Sequence, residues 1–211
     1  MLWKRFLGWI KKEKNYYALI GIFFILLQSA IFIAGTHLEN YGTLFWFCNH
    51  TPLLFAIFFF IQKPEFIKAI VNIGFLFQFA WVIDFLSKIY LKVYVFGVTQ
   101  YIFEEQMGWF VIVPILAHIF STTLAFILTY KHKPNAKILF YSIFYGFILL
   151  ISTILFTLPE KNINFVEHAF GMSQQTFAGY PYLWLFILFF GIILPTHGIQ
   201  YVFYWMHKKR K

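Results

Sequence analysis

The sequence predicts an all-α polytopic membrane protein with six transmembrane helices and both termini cytoplasmic. Three observations predict it. Of 211 residues, 61% are apolar and only 12% charged, about half the charged share of an ordinary soluble domain. Six stretches are apolar over roughly the 20 residues that a membrane crossing needs. Fourteen of the seventeen Lys and Arg residues fall on one side of those stretches, the side that faces the cytoplasm. A soluble enzyme lacks the polar surface it would need, and a disordered chain is excluded by the same apolar excess. No stretch alternates with period two, so a barrel is excluded as well.

Residues 1–14 open the chain. Trp3, Phe6, Leu7 and Ile10 recur at helical spacing, with Lys4, Arg5, Lys11 and Lys12 elsewhere on the wheel. This predicts a basic amphipathic helix lying on anionic lipid. It lacks the apolar run and cleavage site of a signal peptide. The membrane domain follows over 15–206, with spans expected at Tyr17–Thr36, Tyr41–Ile61, Phe66–Leu86, Trp109–Tyr130, Ile138–Leu158 and Leu183–Tyr204. Linkers 62–65 and 131–137 are tight, whereas 87–108 and 159–182 are long. Residues 207–211 form a basic cytoplasmic tail. The net charge of +9 is thus explained by orientation in a membrane, bacterial or archaeal plasma membrane by expectation. Membrane lipids are the expected partners and nucleic acid is not.

Polar groups inside hydrocarbon are costly and mark function. The spans hold Cys48, Asn49, His50, Asn72, Gln78, Asp84, His118, Ser121, Thr122, Thr123, Thr196 and His197. Cys48 lies seven residues into its span and His118 nine, about 10 and 13 Å by helical rise. With Asp84 near the outer end of the third span, the three can share an outer layer. Asn72 and His197 lie deeper, and the rest of the inner half reads as sealed by Phe and Leu. Pro52, Pro114 and Pro195 stand beside the polar clusters, and each is expected to bend its helix, opening a cavity between spans two, four and six.

A thiol next to an imidazole becomes a nucleophile suited to acyl transfer. Cys48 is therefore the candidate nucleophile and His118 its general base. Asn49, Asp84, Thr122, His197 and Asn164 are candidate substrate-binding residues. Each has a plain structural reading too. Cys48 fills space, His118 packs, Asp84 is solvated at the interface, and Asn164 is a solvated loop amide. His50 lies two residues after Cys48 and faces away from it. His50, His118, His197 and Asp84 could supply metal ligands, but no helix carries paired ligands on one face. No metal or cofactor is expected, and one cysteine allows no disulfide.

The stretches FWFCNHTPLLFAIFFF, PILAHIFSTTLAFIL, LPEKNINFVEHAF with FAGYPYLW, and LPTHG resemble the transmembrane protein 164 family of acyltransferases and the YwaF-type integral membrane proteins. More distantly they resemble the androgen-induced lipid-ester hydrolases. The resemblance implies a six-helix core and a membrane-embedded Cys and His acting on phospholipid acyl chains, at Cys48 and His118. In the androgen-induced branch a Thr stands where this chain has Cys48. Asn164 resembles a polar family position after span five. The expected function is a membrane acyltransferase or lipid-ester hydrolase acting on glycerolipid acyl chains. The alternatives are a small-solute transporter or channel, and a non-catalytic membrane subunit.

Overall fold

The computed structural model describes residues 13–37, 45–104, 108–167 and 179–210. The expected helix over residues 1–14 lies almost wholly outside them, as do the start of the second span, His168 and Lys211. The described secondary structure is entirely helical. In order the elements are α1 (Glu13–His37), α2 (Phe47–Phe60), α3 (Pro64–Leu91), α4 (Gln100–Glu104), α5 (Ile112–Thr129), α6 (Ala136–Phe156) and α7 (Tyr180–Lys209). Single 3-10 turns stand at Gly108–Val111, Pro159–Lys161 and Ile163–Phe165. Helices α1, α3, α5, α6 and α7 are long and apolar enough to cross a membrane.

Local chemistry sets the helix ends. Pro64 opens α3, where its missing N–H costs nothing. Lys92 closes α3 in the left-handed region, φ 61°. Asn135 caps α6 by accepting the Ile138 N–H at 3.2 Å, the usual work of an N-cap amide. In α7, Pro195 lacks the N–H that would pair with Gly191. The helix answers by widening to a π-helical segment at Leu188–Ile193. Pro114 behaves otherwise than expected. It lies in the first turn of α5, where no hydrogen bond is lost. Helix α7 continues through Lys209 and carries His207, Lys208 and Lys209 in its last turn.

Helix α3 is the mast of the bundle. Fifty-six per cent of its apolar window is buried, against 28% for α1 and α6 and 22% for α7. It packs on α2, α5, α6 and α7. Leu26, Phe140, Leu155 and Phe186 point outward from the peripheral helices, an apolar exterior that suits lipid and not water. Since lipid tails are as apolar as the core, packing and polar contacts hold the helices together. Phenylalanine supplies much of the packing. Phe24 sits against Phe55 and Phe59 at 5.1 and 5.6 Å between α1 and α2. Phe58, Phe66 and Tyr141 stack in series across α2, α3 and α6. At Gly74 a Cβ would meet the Phe47 ring and, at 2.8 Å, the Thr122 methyl. Only glycine lets α2, α3 and α5 converge there.

Helix α2 begins at Phe47, six residues later than the sequence predicts, and its 14 residues span about 21 Å. Its first turn is held by Asn164. The Asn164 Oδ1 accepts the Phe47 N–H at 2.7 Å. Its Nδ2 donates to Phe45 O at 2.9 Å and to Thr153 Oγ1 at 3.0 Å. Its own carbonyl accepts Trp184 Nε1–H at 3.1 Å. Asn164 is buried with φ 55°, a conformation that asparagine tolerates better than most residues. The expectation of a solvated loop amide is therefore corrected: this residue joins α2, α6, α7 and the loop.

Pro52 sits inside α2 as predicted. Gln28 of α1 lies beside the proline. Its Nε2 donates to Asn49 O at 2.9 Å and its Oε1 accepts the Leu53 N–H at 3.1 Å. Those two backbone groups are the pair that a regular helix would join i to i−4, so one side-chain amide splints the helix at its proline.

Asp84 is the second correction. Helix α3 continues seven residues beyond it, and the loop that follows turns back along the helix. The carboxylate accepts the N–H groups of Phe96 (2.7 Å), Gly97 (3.1 Å) and Thr99 (2.9 Å), and the Thr99 hydroxyl (2.8 Å). Asp84 is fully buried and is an anchor for the loop, not a solvated interfacial charge.

Two outcomes follow. Asn164→Ala should lower stability in detergent by about 2–4 kcal/mol, because it strands buried backbone groups; an unchanged thermal midpoint would contradict the clamp. Asp84→Asn should expose residues 92–99 to limited proteolysis well before the helices are cut, since an amide has one acceptor oxygen where the carboxylate has two.

Candidate functional site

The candidate residues fall into three clusters along α3. The first lies between α3 and α5. The His118 ring stacks on Trp81, with centroids 4.2 Å apart and planes 11° apart. Its Nδ1 lies 2.7 Å from Pro114 O. A carbonyl can only accept, so Nδ1 carries the proton and Nε2 holds its lone pair. No hydrogen bond engages that lone pair among the described residues. Gln78 lies one turn inward. Its Oε1 accepts from Ser121 Oγ at 3.0 Å, Thr122 Oγ1 at 2.6 Å and Thr122 N at 3.2 Å. The backbone donor fixes the amide orientation. Thr122, a candidate for substrate binding, is thus engaged in holding α5 to α3. Two buried donors of this cluster, Gln78 Nε2 and Trp81 Nε1, have no partner among the described residues.

The second cluster surrounds Cys48. The half-buried thiol donates to Asn49 Oδ1 at 3.5 Å, so Asn49 faces the sulfur. His50 Nε2 lies 2.6 Å from the Tyr145 hydroxyl on α6.

Cys48 and His118 have separate hydrogen-bond partners, Asn49 and the Pro114 carbonyl. No hydrogen bond links them. Phe47, next to the cysteine, packs at Gly74, whereas His118 packs on Trp81. Those contacts are seven residues apart on α3, about 10 Å along its axis. The common depth inferred from the sequence assumed helix from Tyr41, and the late start of α2 removes that premise. Two hollows are seen among the described residues, at places other than the expected cavity between spans two, four and six. One is lined by Ile25, Gln28, Ser29, Phe32, Ile33 and Leu53. The other is lined by Tyr16, Tyr17, Leu128, Lys131 and His132.

The third cluster occupies the end of the bundle that holds the basic linkers, which the sequence reads as sealed. Asn72 Nδ2 donates to Ser142 Oγ at 3.0 Å and to His197 Nδ1 at 3.3 Å. Asn72 Oδ1 accepts from Gln200 Nε2 at 2.7 Å, which also donates to Lys68 O at 3.0 Å. Because Lys68 O and Asn72 Oδ1 both accept, every amide in the relay has one permitted orientation. His197 therefore accepts at Nδ1 and carries its proton on Nε2, the opposite tautomer to His118. Lys68, read from the sequence as a linker-edge charge, is 1% exposed. Its ammonium donates to Thr129 O at 3.2 Å, the last carbonyl of α5, where a cation complements the helix dipole.

Gln28, Lys68, Ser142 and Gln200 escaped the sequence reading. A signal existed for some of them: Lys68 and Asn72 are spaced i, i+4 and His197 and Gln200 i, i+3, so each pair shares a face. Among the described residues no three His, Cys, Asp or Glu side chains gather as a metal site. His50, His118, His197 and Asp84 each go to separate partners. No family model, characterised protein or solved structure matches the chain.

The relay makes a quantitative prediction. In a double-mutant cycle of Asn72→Leu and Gln200→Leu, the two losses of stability should be non-additive by about 0.5–3 kcal/mol. Additive losses would mean the two amides act separately.

Proposed function

We propose that the chain crosses the membrane six times, with α2 in the second crossing and both termini cytoplasmic. The basic residues at 4–14, 63–68, 131–137 and 208–211 support that orientation. Within this frame we propose a lipid-ester enzyme of the transmembrane protein 164 type, acting by hydrolysis or acyl transfer, with His118 as general base.

One observation carries this reading. The imidazole is locked by Trp81 and by the Pro114 carbonyl in the tautomer that leaves Nε2 basic. The Gln78 and Trp81 N–H groups of the same cluster, without partners, suit an acyl oxygen that gains charge during attack. The nucleophile loses its proton to Nε2 as its oxygen or sulfur bonds to the acyl carbon, and the departing alcohol takes that proton as the ester bond breaks. Water is the simplest nucleophile for this scheme. The Cys48 thiol donates to Asn49 and makes no hydrogen bond to His118 among the described residues, so its part in the scheme is supported by the resemblance alone.

A small-solute transporter is the second reading. Lys68, Asn72, Gln78 and Asp84 place polar groups along nearly the whole of α3, the pattern a solute path would need.

The readings separate in proteoliposomes given a fluorogenic glycerolipid ester. Turnover should fall by about 10²-fold or more in His118→Ala. Cys48→Ser should abolish covalent fluorophosphonate or iodoacetamide labelling, and turnover too if the thiol carries the acyl group. Ester turnover that survives His118→Ala would overturn the enzyme reading. Solute flux that persists in the Cys48→Ser, His118→Ala double variant would favour transport.

A further inference from the structure

The loop that Asp84 holds continues into α4, and residues 96–104 together form a strap that lies against the first cluster. The strap has two faces. Val98, Tyr101 and Ile102 pack with Trp81, Val82 and Phe85 of α3 and with Ile115 of α5. Gln100 and Glu104 are exposed and joined i to i+4, Nε2 donating to Oε1 at 2.7 Å. Ile102, Trp81 and His118 are all buried, and Trp81 is the ring on which His118 stacks. The strap is therefore part of the wall that buries the Trp81–His118 pair. It is also separable from the helices. Its apolar contacts form a small cluster apart from the two larger cores, and such a satellite opens at lower cost than a core. Its fastening is concentrated on one side chain, the Asp84 carboxylate that takes the N–H groups of Phe96, Gly97 and Thr99 and the Thr99 hydroxyl. Gly97 near its start and Gly108 beyond its end have φ of 75° and 56°. A Cβ at either would meet no atom within 4 Å, so glycine serves the turn of the backbone there and not close packing.

We propose that residues 96–104 are a hinged cover of the Trp81–His118 site, latched by Asp84, and that a lipid reaches the imidazole when the cover lifts. Turning at Gly97 and Gly108 takes Ile102 off Trp81 and leaves α3 on α5, because the bonds of Gln78 to Ser121 and Thr122 do not involve the strap. The two-faced strap has a place in either state. Shut, its apolar face lies on Trp81; lifted, the same face meets lipid at the membrane interface, where amphipathic segments are stable. Each hydrogen bond at Asp84 favours the shut form, so access to the imidazole is scaled by the fraction of chains that are open. The inference rests on the enzyme reading for what enters the site; the existence of the cover does not depend on it.

The test labels the full chain in phosphatidylcholine nanodiscs with diethyl pyrocarbonate, which acylates an accessible imidazole nitrogen, and reads each histidine by peptide mass spectrometry. Asp84→Asn should speed labelling of His118 about tenfold relative to His207 at the far end of α7, the change expected when a latch loses charge-assisted hydrogen bonds. Thr99→Val, which removes only the hydroxyl donor, should give a smaller rise in the same direction. The kcat/KM for the fluorogenic glycerolipid ester should rise in step with labelling, since both follow the open fraction. Unchanged labelling of His118 in Asp84→Asn would overturn the cover. Equal acceleration at His197 would overturn it too, because the whole bundle would then be loosened and the strap would not be a separable part. A kcat/KM that falls while labelling rises would overturn the role in lipid entry. Labelling that responds to Asp84→Asn in a chain without ester turnover would defeat the enzyme reading and uphold the cover.

Discussion

In hydrocarbon a polar group must find its partner within the protein, because no water competes for it. Helix α3 is organised by that constraint. Lys68, Asn72, Gln78 and Asp84 leave it in different directions, and each meets a different neighbour: the end of α5, the pair α6 and α7, the middle of α5, and the returning loop. A helix more buried than its neighbours and carrying polar anchors of this kind fixes the rotation and height of the helices it meets. Apolar packing alone would leave both loosely set, since the outward-facing Phe and Leu side chains are nearly as well placed against lipid as against protein.

The sequence revealed the membrane class, the helical class and five long helices, because apolar runs and basic linkers are properties of composition along the chain. It misplaced the start of α2, since the apolar run from Tyr41 does not show where helix begins. Asn164, 117 residues away from Phe47, holds the observed start, and no local pattern announces so distant a cap. Asp84 misled for a related reason. Its partners are backbone N–H groups of a loop, which carry no side-chain signature. Pro195 did read correctly as disturbed helix, because proline acts on its own backbone wherever it stands.

The candidate chemistry was legible as residue types but not as a geometry. Cys48 and His118 were separable from the apolar background, yet the distance between them depends on the vertical offset of α2 against α5, which Gly74 sets by admitting the Phe47 ring. The tautomers lay further still from the sequence. His118 and His197 each follow a proline by a few residues, yet one holds its proton on Nδ1 and the other on Nε2. The difference comes from what faces the ring, a carbonyl in one case and an amide N–H in the other.

The Gln28 splint bears on how the chain enters the bilayer. Helix α2 carries a proline and is the shortest of the apolar helices, so by itself it is the segment least able to hold its backbone together away from water. The amide that joins Asn49 O to Leu53 N–H belongs to α1, which leaves the ribosome first. The two therefore form one hairpin whose earlier arm completes the later one, and reordering the helices by circular permutation would release α2 into lipid before its missing amide existed.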